Sequence, residues 1–147
     1  MFSVLVVGTD GSETAGSAVQ RAVELSATLG ARLLIVSAFE PVVPSRLRAE
    51  SQQAPPDVQW MINAREEVEA TLAEAQAVAQ EAGLTVETFA RQGDPADAIL
   101  DVAEEQGADL IIVGNKGMTG AKRFLLGSVT NKVSHHAPCS VLIIRTS

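Results

Sequence analysis

The sequence predicts an α/β domain built on one open, doubly wound parallel sheet of five strands in the order 3-2-1-4-5. Short runs that are apolar throughout, at residues 4–7, 110–113 and 141–144, are what strands covered on both faces look like. Longer segments with apolar residues at helical spacing separate the strand-like runs, so strands alternate with helical crossovers. The chain has 147 residues, 46% of them hydrophobic and only 3% aromatic, enough small aliphatic side chains for one layered core and too few residues for two. We therefore expect a single domain over residues 1–147. Ligands of such a sheet gather at the carboxyl ends of its strands, where the strand order reverses between the first and the fourth.

Residues 2–7 form the expected first strand, broken by Gly8-Thr9-Asp10-Gly11-Ser12. Ser12 is a helix cap and Glu13 a first-turn acid, and Ala15, Ala18, Ala22, Leu25 and Leu29 line one face until Gly30 closes the helix. Thr9 and Asp10 thus fall at the ligand-binding edge, where Asp10 either builds an Asx turn or meets a ligand. The second strand takes residues 32–38. From Phe39 to Pro56 the sequence turns to Pro, Ser, Gln and Arg without period, which marks a long loop that either closes over a ligand or stays on the surface.

Residues 57–82 carry a long helix with Met61, Ala64, Val68, Leu72, Ala75, Ala79 and Ala82 on its packed face, and Trp60 as an anchor for the preceding loop. After Gly83, residues 84–90 alternate, with Glu87 on one side, as an edge strand does. Asp94 caps and Pro95 opens a helix through Gln106 whose inward residues are Ala98, Ile99, Val102 and Ala103. Residues 110–113 make the fourth strand, a helix runs from Ser128 to about His136, and residues 140–145 make the last strand.

Between the fourth strand and the helix at Ser128 lies the most informative stretch, with glycines at 114, 117, 120 and 127. Glycine lets a phosphate approach bare backbone, and a helix N-terminus favours an anion through its unpaired N–H groups and its dipole. Glycine also allows left-handed dihedrals, at which a side chain would strain the turn. Phe124, Leu125 and Leu126 are read as a plug for the loop. The protein carries a formal charge of −7, yet no acid follows Asp109, while Lys116, Lys122, Arg123, Lys132 and Arg145 all lie beyond it. A basic, glycine-rich turn in an acidic chain favours a phosphorylated small molecule over nucleic acid. Neither GxGxxG nor GxxxxGK[ST] occurs. Cys139 is alone, which excludes an internal disulfide, and His135 and His136 sit at a helix end. No apolar run approaches membrane-spanning length, so a cytoplasmic location without membrane association is expected.

Gly114, Gly117, Gly127 and Ser128 fit a pattern of GxxG, nine residues, then G[ST]. Together with the Thr9-Asp10-Gly11-Ser12 turn and the Pro138-Cys139-Ser140 ending, this resembles the universal stress protein family, in its ATP-binding branch, over nearly the whole chain. The resemblance implies the adenine nucleotide alpha hydrolase-like fold and a nucleotide-binding stress-response or regulatory protein. It gives ATP as first-choice ligand, with Mg²⁺ carried on the phosphates, and cyclic AMP as the alternative. By the same resemblance Val113, Gly114, Gly117, Gly127, Ser128, Val129 and Thr130 form the phosphate and ribose wall. Thr9, Asp10 and Ala38, with the Gly8 backbone, form the base side; some relatives have proline at the position of Gly8. Lys116 is either a phosphate contact or a solvated surface lysine. The family also implies an antiparallel homodimer through the strand at residues 140–145, whose edge has no gatekeeping charge before Arg145. Phosphoryl transfer needs oxygens that hold a metal and a group that places the nucleophile, and the glycine loop brings no acid. The chain therefore reads as a binder, with at most weak ATP hydrolysis and no catalytic or metal-ligating set.

Overall fold

A computed structural model of the chain describes residues 1–39, 56–115 and 127–146, with backbone alone for 56–63. The elements are β1 (Val4–Gly8), α1 (Glu13–Leu29), β2 (Arg32–Phe39), α2 (Pro56–Glu81), β3 (Glu87–Gln92), α3 (Pro95–Gln106), β4 (Leu110–Gly114), α4 (Ser128–His136) and β5 (Ser140–Ile144). They build one parallel sheet in the expected order, β3-β2-β1-β4-β5. The elements outside the description include the long loop from residue 40, the Lys116 and Gly117 positions, Gly120, and the Phe124 to Leu126 plug. The side chains of Trp60 and Met61 also lie outside it.

Alternation along the central strands divides the core into two layers. Leu5, Val7, Leu33, Ile35 and Ile112 pack beneath α1 and α2, whereas Val6, Leu34, Val36, Ile111 and Val113 pack beneath α3 and α4. Both faces of β1, β2 and β4 are thus covered, which is why their sequences are apolar without interruption. β3 and β5, at the two edges, contain no fully buried residue.

Helix ends follow local chemistry. The Ser12 hydroxyl accepts from the Ala15 amide at 3.2 Å, and Asp94 accepts from the Asp97 amide at 3.1 Å. Two details depart from expectation. The buried stripe of α1 takes in Val19, Val23 and Ser26 and leaves Leu29 38% exposed, the helix being covered by α2 as well as by the sheet. The third strand starts at Glu87 rather than at residue 84. Leu84 donates its amide back to Ala79 at 3.0 Å in the closing turn of α2, and pairing with β2 begins only where Glu87 comes opposite Leu34.

Among the described residues no helix is long and apolar enough to cross a membrane.

Candidate functional site

β1 and β4 lie side by side, and their continuations diverge, one into α1 and the other toward α4. A crevice opens between them at the carboxyl ends of the strands, lined by Gly8, Thr14, Ala15, Ala18, Val113, Gly114, Val129 and Thr130. This is the strand-order reversal foreseen from sequence, and it brings the first loop and the start of α4 together across about 120 residues of chain. Among the described residues the lining is small and mostly apolar, with two threonine hydroxyls and no acid.

The two helices at its mouth end differently. Ser12 and the Asp10 carboxylate, which accepts from the Ser12 amide at 2.9 Å, satisfy the start of α1. At the start of α4 the cap is Gly127, and no side chain among the described residues caps it. The Asn131 amide bonds to the Gly127 carbonyl at 2.8 Å, so the amides of Ser128, Val129 and Thr130 are those with no carbonyl partner inside the helix. Serine, threonine, asparagine or aspartate would normally occupy such a position, and glycine keeps it open to an external acceptor. Gly127 has φ −61° and ψ 157°, an ordinary extended cap conformation. An N-cap takes the β region, so the left-handed dihedrals that glycine allows are not used at Gly127.

The other expected residues fall as follows. Gly8 and Thr9 are buried at the end of β1, and the Thr9 amide reaches the Val36 carbonyl at 2.9 Å, tying the loop to β2. Asp10 is exposed, and one of its oxygens makes the Asx turn, so the turn and a surface carboxylate coexist. Ala38 is half-buried near the end of β2, on the α3 and α4 side of the sheet. Ser128 is exposed, Val129 is buried, and the buried Thr130 donates its hydroxyl to the Gly114 carbonyl, which fixes α4 to the end of β4. Lys116 and Gly117 lie outside the described residues.

The positive charge expected around the loop is reduced at one point. Lys132 pairs with Asp97 at 2.8 Å and Asp94 at 3.4 Å, and these carboxylates raise its pKa. It braces α4 against α3 and contributes little to the crevice. Cys139 is half-buried, and burial, with the charge of Asp109 second, pushes its thiol pKa up, which suits packing and not nucleophilic chemistry.

Two lining or supporting residues were missed in the sequence. Thr14 faces the crevice from the first turn of α1, where its type alone signals nothing. Asn115 follows β4 directly, and its position inside GxxG was the only available hint.

The profile of the universal stress protein family matches residues 1–145. The chain belongs to the universal stress protein family. Universal stress protein YxiE of Bacillus subtilis is 35% identical over 149 aligned positions, covering 99% of this chain and 100% of that protein. A universal stress protein of Thermus aquaticus is 38% identical over 145 positions, covering 99% and 100% respectively. Among solved structures of the family, a universal stress protein crystallised in complex with cAMP superimposes with a TM-score of 0.73 at 34% identity, covering 99% of this chain and 98% of that one. Membership in a family with a nucleotide-bound member agrees with the strand order and with the glycine at the head of α4.

Proposed function

We propose that this universal stress protein is an adenine-nucleotide-binding regulatory protein, with cAMP ahead of ATP as its ligand. The observation that carries the reading is the N-terminus of α4, which has Gly127 as its cap and meets the crevice through Val129 and Thr130. A phosphate there would accept from the amides of residues 128–130 and from the Ser128 hydroxyl, while Val113, Gly114, Val129 and Thr130 wall the ribose. The base would lie toward Thr9, Asp10 and Ala38, with Gly117 and Lys116 completing the phosphate side as the family resemblance has it. The relative crystallised with cAMP supports putting cAMP ahead of ATP, which sequence alone ranked first. A compact cyclic phosphodiester also asks less of the loop than a triphosphate does.

Binding without efficient turnover is part of the same reading. The lining residues include no carboxylate to place a nucleophile. If ATP binds, Mg²⁺ would be held by its phosphates, since among the described residues no three His, Cys, Asp or Glu side chains come together. Pairing of two copies through β5 belongs to this proposal too. β5 is a sheet edge on which Leu142 and Ile143 remain 37% and 39% exposed.

The test is to denature the purified protein, identify any released small molecule, and compete cAMP against ATP for the emptied site. Release of an adenine nucleotide, or saturable cAMP binding tighter than that of ATP, is expected. Failure of both nucleotides to bind would overturn the proposal.

A further inference from the structure

Four hydrogen bonds meet at Asn115, the first residue beyond β4. Its amide donates to the Ile144 carbonyl at 2.9 Å, and its own carbonyl accepts from the Gly127 amide at 3.2 Å. Its side-chain Oδ1 accepts from both the Thr146 amide at 2.9 Å and the Thr146 hydroxyl at 3.0 Å. One residue therefore holds the end of β4, the chain just past β5 and the cap of α4.

Thr146 is placed with equal economy. A Cβ built on Gly114 would stand 3.4 Å from the Thr146 methyl and 3.7 Å from that of Thr14, so Thr146 packs over the strand end that lines the crevice. The base side of the crevice is tied separately, through the Thr9 amide and Val36. Disturbing Asn115 should thus move one wall and not the other.

We propose that Asn115, latched by Thr146, is a positioning residue for the phosphate end of the nucleotide site. It holds Gly127, and with it the open amides of residues 128–130, at a fixed distance from β4, and it needs no contact with the phosphate itself. A side chain of this length whose oxygen can accept two hydrogen bonds is required, because Oδ1 receives an N–H and an O–H from the same residue. The inference rests on the proposed function for its ligand, but its geometry can be tested without one.

The experiment compares wild type with Asn115→Ala, Thr146→Val and Thr146→Ser, using cAMP and adenosine as probes in calorimetric titrations. Asn115→Ala should weaken cAMP about tenfold or more and adenosine less than about threefold, a loss confined to the phosphate. Thr146→Val, which keeps the amide but not the hydroxyl, should fall between, and Thr146→Ser should restore wild-type binding. Equal weakening of both probes, or none, would overturn the inference, since a merely structural role would not change the adenosine-to-cAMP ratio. Hydrogen exchange on the ligand-free proteins gives an independent reading. Asn115→Ala should speed exchange at residues 127–130 and 144–146 while leaving 87–92 unchanged, and unchanged exchange at 127–130 would overturn the latch. If the wild type binds neither nucleotide, the proposed function falls, and exchange alone decides the latch.

Discussion

Asp109 stands at the opposite end of β4 from the crevice and clamps the start of β1. Its carboxylate accepts from the Ser3 amide at 2.8 and 3.1 Å and from the Val4 amide at 3.0 Å, and these bonds, Ser3 first, hold its pKa below the usual 3.8. The folded pKa is lower than the unfolded one, so the stabilisation is complete above about pH 4 and is lost as pH falls through the folded value. Asp109→Ala should cost on the order of 1–2 kcal/mol at neutral pH. In urea melts the gap between variant and wild type should close in strong acid; a gap independent of pH would contradict this role. Thr130 plays a comparable part beside the site, since its hydroxyl holds the Gly114 carbonyl in a buried position. Neither role could be read from the sequence, because both depend on which backbone group a tertiary fold brings near.

Between α3 and α4 the contacts combine a cap with ion pairs. Asp94 accepts from the Asp97 amide, and Lys132 bridges Asp94 and Asp97 from the neighbouring helix. Removing the cap should matter more than removing the exposed lysine. Asp94→Ala is expected to cost about 1 kcal/mol, and Lys132→Ala clearly less, in thermal or urea unfolding. Equal losses would put the weight on the ion pairs. The Gly93-Asp94-Pro95 turn announced this helix in sequence because capping is local chemistry, and Ser12 did the same for α1. The start of β3 was not legible. Alternation at residues 84–90 is visible, but where the ladder begins depends on Leu84 being held in the end of α2 and on the partner residue in β2. Leu29 misled for a related reason: helical period shows which side of α1 is apolar, not how far its covering extends.

The arrangement of the whole sheet was legible because five strand-like runs joined by helical crossovers leave few right-handed, uncrossed orders, of which 3-2-1-4-5 was the expected one. Of the site, the position of the crevice and the head of α4 followed from sequence. Thr14 and the Asn115–Thr146 bonds did not, since they arise where distant segments meet. At the far edge, β5 pairs with β4 on one side only and leaves Leu142 and Ile143 exposed. Ile143→Lys should convert a dimer to a monomer in sedimentation velocity, and a wild type already monomeric at micromolar concentration would refute pairing through that strand. The claim that a nucleotide meets the head of α4 is tested most directly by titrating cAMP into wild type and Gly127→Val by calorimetry, with circular dichroism to check the fold. A side chain at this buried cap would intrude on the open amides while Ser128 can still begin the helix. Saturable binding to the wild type and loss of most of it in a folded variant are expected; a folded variant that binds cAMP as tightly as wild type would place the nucleotide elsewhere.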